Sequence, residues 1–404
     1  MINVIGLGYI GLPTALMLAA NGNEVTGTDY NKELLSTLKH GELTFEEPGL
    51  EELFKNALDK GIKFENDYSS TDFYIITVPT PYDKVDKKID ASYVIAATKQ
   101  VLEVCKKGTI LVIESTISPG TIDRFVRPLI REAGFVLGED IHLVHAPERI
   151  LPGQMIKELQ FNSRTIGADS PEIAEKVKEV YSSFCEGEIV CTDIRTAEMT
   201  KVVENTFRAI NIAFANELTK IARHDALDVH EIIRISNMHP RVNILSPGPG
   251  VGGHCIPVDP WFLVGDYPRL TKLISTALEI NESMPELVLD RIGTIMKENG
   301  ITDRNKVGIY GVTYKQDVDD IRESPTLQLF EKMEEHFAEP FKFFDPMIHN
   351  QILDNQVMDF DKFLNESEVI VLMVEHSHLK DNLDKLKDKF ILDTHNLIDD
   401  AYKL

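Results

Sequence analysis

The chain is predicted to be an α/β protein: two doubly wound domains of parallel strands and helices, joined by a long central helix and an all-α region suited to dimerisation. Three observations predict it. Short apolar runs alternate with helical patterns in the N-terminal part of the chain, and again beyond residue 300. A glycine-rich turn, Gly6-Leu7-Gly8-Tyr9-Ile10-Gly11, divides the first strand from the first helix. Residues 196–224 carry a helical period with no Gly or Pro to interrupt it. The expected boundaries are 1–192 for the first domain, 193–300 for the helical region and 301–404 for the second doubly wound domain.

The totals agree with this division. A chain of 404 residues is too long for one ordinary core, so two or three domains are expected. With 43% hydrophobic and 26% charged residues it has the composition of a globular protein. Its apolar runs are far shorter than the ~20 residues a membrane span needs. Met1-Ile2-Asn3-Val4-Ile5 enters a strand at once, with no basic region or cleavable segment, which points to the cytoplasm. Cys105, Cys185, Cys191 and Cys255 are too few for a disulfide framework, and no His/Cys cluster predicts a metal. The net charge of −23, from 42 basic and 65 acidic residues, opposes nucleic acid and anionic membranes. A small anionic ligand would need a local basic pocket.

From the N-terminus, Ile2-Asn3-Val4-Ile5 is a strand, residues 12–20 a helix closed by Asn21-Gly22, and Glu24-Val25-Thr26-Gly27-Thr28 a second strand ending at Asp29. G-x-G-x-x-G alone is weak evidence. Here it lies between strand and helix, with an acid 18 residues after Gly11, the setting of a Rossmann-like dinucleotide site. Gly6 allows the tight turn, Gly8 lets a pyrophosphate approach, and Gly11 lets the helix pack on the strand. An acid at Asp29 suits a ribose 2′-hydroxyl and repels a 2′-phosphate, so NAD is favoured over NADP. Further strands are expected at 72–78, 109–113 and 141–145. Thr80, Thr116 and Glu148 follow them, where ligands collect in open parallel sheets. A carboxylate there, such as Glu148, is a candidate general base.

In the long helix, Val203, Phe207, Ile210, Phe214, Leu218 and Ile221 recur at helical steps. At ~1.5 Å per residue it is long enough to bridge domains and form a dimer core. Lys201, Asn205 and Arg208 share one face and can point at one ligand, although a solvated polar stripe is the commoner fate of such residues. A short helix over 229–238 and His239-Pro240-Arg241-Val242-Asn243 lead to Ser246-Pro247-Gly248-Pro249-Gly250-Val251-Gly252-Gly253-His254-Cys255. That density of turn residues excludes helix and strand and lets backbone approach a ligand closely. Asp259-Pro260 reads as an N-cap followed by proline at the first helical position, with Trp261 packing that helix on the core. Cys255 therefore lies just ahead of a helix N-terminus, among backbone donors that would lower its thiol pKa. The plainer reading is a small buried hydrophobe. Beyond it, Val307-Gly308-Ile309-Tyr310, Phe341-Lys342-Phe343-Phe344, Val369-Ile370-Val371-Leu372-Met373-Val374 and Phe390-Ile391-Leu392 are strands, and Ser324-Pro325 caps a helix.

These motifs together resemble the UDP-glucose/GDP-mannose dehydrogenase family over nearly the whole chain. The resemblance rests on the glycine turn, Glu114-Ser115-Thr116, Ala146-Pro147-Glu148-Arg149, Lys201 with Asn205, Gly252-Gly253-His254-Cys255 with Asp259, and Tyr314-Lys315 with Arg322-Glu323-Ser324. It implies a four-electron oxidation of a UDP-sugar's primary alcohol to a carboxylate, with two NAD reduced. It implies Cys255 as nucleophile, Lys201 and Asp259 as polar partners of the reacting oxygen or water, Asn205 as oxyanion donor, and Glu148 with Thr116 in thioester hydrolysis. Gly6, Gly8, Tyr9, Ile10, Gly11, Asp29, Thr80, Thr116 and Arg322 are implied as cofactor contacts. Glu148, Arg149, Ile150, Lys201, Asn205, Arg208, His239, Arg241, Gly252, Tyr314 and Lys315 are implied as substrate contacts. Arg241 and Arg322 acting across a subunit boundary would make the protein at least a homodimer.

Arg149 and Val258 depart from the UDP-glucose branch, which usually has an aromatic residue and a lysine there. Residues 239–245 and 255–261 look like the UDP-N-acetylhexosamine branch, with the mannosamine epimer expected first, the glucosamine epimer second and UDP-glucose third. Two other readings compete. A two-electron hydroxyacid or sugar-acid dehydrogenase would share the NAD domain and long helix but not need Cys255. A non-catalytic NAD-binding module would make Lys201, Asn205 and Cys255 a coincidence.

Overall fold

A computed structural model describes residues 1–335 and 338–404. The chain divides into two compact units, Met1–Glu204 and Asn205–Leu404. In the first, eight strands form one sheet: β1 (Ile2–Ile5), β2 (Val25–Thr28), β3 (Lys63–Glu65), β4 (Phe73–Ile76), β5 (Thr109–Ile113), β6 (Ile141–His145), β7 (Arg164–Ala168) and β8 (Ile189–Thr192). Their spatial order is β3-β2-β1-β4-β5-β6-β7-β8. All pairs are parallel except β6 with β7. β1, β2, β4 and β5 are wholly buried, as strands covered by helices on both faces must be. The order reverses between β1 and β4, so the crevice at their carboxyl ends is the place for a ligand.

The strand expected at 72–78 spans only Phe73–Ile76, and Thr77 just beyond it still donates its N–H to the Ile5 carbonyl at 2.8 Å. Its hydroxyl donates to the carbonyls of Ile5 (2.9 Å) and Gly6 (2.7 Å) and so ties the glycine turn to the neighbouring strand. Strands β3, β7 and β8 were not expected. Their sequences, Lys-Phe-Glu, Arg-Thr-Ile-Gly-Ala and Ile-Val-Cys-Thr, lack a sustained apolar run.

His145 closes β6 in full burial, with Nδ1 donating to the Ile113 carbonyl at 2.8 Å and Nε2 without a partner. Burial pushes its pKa down to about 4 from 6.5. An unfolded chain therefore takes up this proton first as pH falls, and the fold loses stability between about pH 6.5 and 4, by about 3 kcal/mol at the limit. We expect His145→Asn, which keeps a donor near the Nδ1 position but cannot titrate, to lose less melting temperature than wild type between pH 7 and pH 5. Equal losses would refute this.

The long helix, Ile194–His224, begins in the first unit and ends in the second. Its inward residues include Ala209, Ala213, Asn216, Thr219 and Ala222. Of the apolar set expected along it, Val203, Phe207, Phe214 and Ile221 are exposed and Ile210 and Leu218 half-buried. The second unit continues with helices Val229–Ser236, Asp259–Asp266, Lys272–Glu282 and Met284–Glu298. Its sheet comprises β9 (Val307–Tyr310), β10 (Lys342–Phe344), β11 (Val369–Leu372), β12 (Phe390–Asp393) and β13 (Tyr402–Lys403), in the order β10-β9-β11-β12-β13 and all parallel. Ser324 caps the helix Pro325–Glu335 as expected, its hydroxyl accepting from Thr326 N–H at 3.2 Å. Trp261 is buried and donates to Glu282 Oε1 at 3.2 Å. Among the described residues no helix is long and apolar enough to cross a membrane.

Candidate active site

The dinucleotide loop is set by glycine geometry. Gly6 has φ +92°, which side chains rarely adopt. A Cβ on Gly11 would lie 1.8 Å from the Gly6 carbonyl oxygen, so only glycine lets this helix start so close to β1. A Cβ on Gly8 would meet nothing within 4 Å, which leaves room for a pyrophosphate over the loop. Asp29, just past β2, accepts from Leu7 N–H and Asn31 N–H, each at 2.8 Å. Each carboxylate oxygen keeps a lone pair for a ribose hydroxyl. Tyr9 packs on Phe45 with ring centroids 4.5 Å apart, and half-buried Ile10 precedes the helix Gly11–Ala20. The Thr80 hydroxyl donates to the Thr116 carbonyl at 2.6 Å, so the loops after β4 and β5 hold each other. These residues fit NAD.

Glu148 is buried just beyond β6. Oε1 accepts from Arg149 N–H at 2.6 Å and Oε2 from the Arg164 guanidinium. Arg149 is committed to protein partners: Ser163 carbonyl (3.0 Å) and hydroxyl (3.1 Å), Thr165 hydroxyl (2.8 Å) and Glu204 (2.8 Å). Ile150 is buried. The loop beyond it hangs on Glu47, which accepts from Gly153 N–H (2.7 Å) and Met155 N–H (2.8 Å). Lys201 is buried on the long helix, so the solvated-stripe reading does not hold for it.

In the second unit Asn205, also buried, donates from Nδ2 to Asp259 Oδ2 at 2.6 Å. Asp259 is thus not the expected N-cap. The helix begins at Asp259 itself, and its carboxylate serves Asn205 instead. An amide NH2 has two protons; Asp259 takes one, and the other is the kind of donor an oxyanion needs. The Cys255 carbonyl accepts from Val258 N–H (3.1 Å) and Asp259 N–H (2.8 Å), so two of the amides expected beside the sulfur close the turn instead. The thiol is free of any disulfide and half-buried.

The loop ahead of Cys255 is anchored from the long helix. Asn211 Oδ1 accepts from Leu245 N–H and Asn216 Oδ1 from Gly248 N–H, both at 3.0 Å. Asn216 in turn donates to Asn281 Oδ1 at 2.9 Å. Gly252 packs against Tyr314 Cβ and Gly253 against the Tyr314 ring, and Gly253 N–H donates to the Arg322 carbonyl at 2.9 Å. The cysteine loop, Tyr314 and the Arg322 segment therefore form one packed body, with half-buried Lys315 beside it. The Arg322 guanidinium turns back on Asp320 at 2.6 Å. Arg208, His239 and Arg241 are exposed, and Arg241 N–H donates to His239 Nδ1 at 3.3 Å.

Asn211, Asn216, Asn281, Glu47 and Arg164 carry no signal of their own in the motifs, and Glu114 stands in one of them with no role assigned. For the helix asparagines a signal existed: asparagine is a poor helix former, and three in one uninterrupted helix call for a tertiary reason. Among the described residues no cluster of His, Cys, Asp or Glu could hold a metal ion.

Sequence models of the UDP-glucose/GDP-mannose dehydrogenase family match in three parts: the NAD binding domain over residues 1–185, the central domain over 195–283 and the UDP binding domain over 308–400. The UDP-N-acetyl-D-mannosamine dehydrogenase of Methanococcus maripaludis is 42% identical over 408 residues, covering 98% of this chain and 92% of the relative. The solved structure of the UDP-N-acetyl-mannosamine dehydrogenase of Staphylococcus aureus has a TM-score of 0.88 at 43% identity, covering 99% of this chain and 95% of that one. A UDP-glucose dehydrogenase from Pyrobaculum islandicum has a TM-score of 0.87 but 26% identity, covering 100% of this chain and 95% of that one.

Proposed function

The chain belongs to the UDP-glucose/GDP-mannose dehydrogenase family, and on that premise we propose that it is an NAD-dependent UDP-N-acetyl-D-mannosamine dehydrogenase, making the uronate for a surface polysaccharide. The observation that carries the substrate is the full-length contrast just given: 43% identity to a mannosamine enzyme against 26% to a glucose enzyme of equal structural likeness.

NAD, when bound, supplies the hydride acceptor for both oxidations. The chain's residues do the rest. Lys201 and Asp259 are the polar partners that take the proton from the C6 hydroxyl as it becomes an aldehyde. The Cys255 thiolate then forms a C–S bond to the aldehyde carbon, and Asn205 and Lys201 stabilise the oxygen that gains charge. The thiohemiacetal still bears one hydrogen on C6, which a free aldehyde cannot give up as hydride. Its loss leaves a thioester. Glu148, with Thr116, takes a proton from water as the water oxygen bonds to the acyl carbon. The C–S bond breaks, the acid leaves and the Cys255 thiolate returns. Tyr314, Lys315, Arg208 and Arg241 supply donors for the nucleotide diphosphate.

We also read the exposed stripe Val203, Phe207, Phe214 and Ile221 as a homodimer face, since single exposed apolar residues are ordinary but a helical row is not. A cytoplasmic address suits an enzyme with two soluble nucleotide ligands. The test is NADH production from each purified sugar nucleotide. UDP-N-acetylmannosamine should give two NADH per sugar, with UDP-N-acetylglucosamine and UDP-glucose much poorer. Absence of turnover on every N-acetylhexosamine donor would overturn the assignment. A product ratio of one NADH would favour a two-electron enzyme.

A further inference from the structure

Glu148 can act as base only if its carboxylate is held where the water stands. We propose that Arg164 is the positioning residue for Glu148, and that Glu114, Tyr181 and Thr14 lock Arg164 in that task. The inference rests on the assignment of Glu148 to thioester hydrolysis.

Arg164 opens β7 and is only 4% exposed. One guanidinium nitrogen donates to Glu148 Oε2, while Oε1 takes Arg149 N–H, so both carboxylate oxygens are fixed. The guanidinium lies over the Tyr181 ring at 4.5 Å and within 5.3 Å of the Phe184 ring centroid. Its other terminal nitrogen, Nη1, is buried with no hydrogen-bond partner among the described residues. A buried arginine kept only for stability would be expected to satisfy its donors. This one is placed by Glu148 and two rings, at the cost of a donor.

A second carboxylate competes for that charge. Glu114 is buried just beyond β5, two residues before Thr116. Its Oε1 accepts from the Thr14 hydroxyl at 2.9 Å and its Oε2 from the Tyr181 hydroxyl. Burial pushes the Glu114 carboxyl up to about 7, against the pull of Arg164. With both oxygens occupied by neutral donors, Glu114 leaves Arg164 to Glu148. Thr14 stands on the helix that opens with the dinucleotide loop, so the base is braced against the cofactor-binding element of its own unit.

The test uses the full-length enzyme with NAD and UDP-N-acetylmannosamine, following the first-turnover NADH burst, steady-state NADH and acyl-Cys255 by intact mass. Arg164→Lys keeps the buried charge but not the planar donor. It should keep the burst and lower steady-state turnover by about 10- to 100-fold, with acyl-enzyme accumulating. It should add nothing further in a Glu148→Gln background, because residues acting through one another are not additive. Unchanged turnover, or burst and steady state falling together in a folded variant, would overturn the clamp. Trapping by Glu148→Gln but not by Arg164→Lys also overturns it and leaves the Glu148 assignment standing. If neither variant traps acyl-enzyme, the Glu148 assignment falls and the clamp with it. Should the lysine variant not fold, Tyr181→Phe decides: it keeps the ring, frees Glu114 to compete for Arg164, and should slow deacylation about 3- to 10-fold. No effect there rejects the lock.

Discussion

Cys255→Ser is expected to lower formation of the uronate by roughly 10⁴-fold while leaving the fold and NAD binding intact. The half-buried thiol is in no disulfide, and a serine is close to it in size. The loss is chemical. A free thiol ionises near pH 8.5 and is intrinsically nucleophilic, whereas a serine hydroxyl needs a dedicated base to attack at neutral pH. Asp259 Oδ2 already accepts from Asn205, and the Cys255 carbonyl occupies the Val258 and Asp259 amides. Without the C–S bond the aldehyde has no route to a second hydride donor. The first oxidation does not pass through sulfur, so the variant should still reduce the synthetic UDP-sugar aldehyde with NADH at a rate near wild type. Loss of that partial reaction too would show that position 255 matters for binding and not for the covalent step. Uronate formation at an undiminished rate would remove the mechanism altogether.

The parts of this enzyme that were legible in its sequence are those written locally. The glycine turn and the cap at Ser324 each depend on residues within a short span, and each took the conformation expected. Strands with unbroken apolar runs were found, whereas β7 opens with an arginine and β8 ends in Cys-Thr. That arginine shows the limit most clearly. In a sequence, a charge in a short mixed segment looks like surface, because its counter-ions lie 16 and 50 residues away at Glu148 and Glu114. The Asn205–Asp259 pair spans 54 residues in the same way; each partner was singled out, but their contact was not. Asp259 had to be misread as a cap, since nothing local says that a helix asparagine claims its carboxylate. One regularity also shows only in the fold. Asp29 past β2 and Asp345 past β10 both accept backbone N–H groups from the loop after the neighbouring strand, Leu7 in one case and Val312 and Thr313 in the other. The second unit thus repeats the loop-holding acid without repeating the glycine signature that made the first one readable.

Gly252→Ala should cost about 100-fold in kcat/KM for the UDP-sugar, with NAD affinity unchanged. Its backbone is not in the left-handed region, so the penalty is steric and not conformational. The added Cβ would stand 2.6 Å from Tyr314 Cβ, 2.8 Å from the Glu323 carbonyl oxygen and 3.0 Å from Pro325 Cδ. None of these can yield. Tyr314 is tied by its N–H to the Asp320 carbonyl, Glu323 is already held at φ +46°, and Pro325 opens a capped helix. The cysteine loop must therefore retreat, and Cys255 lies three residues on. A displacement near 1 Å at a reacting group is enough for a loss of about 10². The general destabilisation of an overpacked site, about 1–3 kcal/mol, would lower the melting temperature but not distinguish the two ligands. Gly248→Ala is the matched control, since its Cβ would meet nothing closer than the Gly250 carbonyl oxygen at 3.9 Å. Measured side by side, wild-type kcat/KM in Gly252→Ala would show that the packing of loop on Tyr314 does not set the position of the nucleophile. Equal losses in both variants would assign the effect to loop flexibility, because only one of the two substitutions meets a wall.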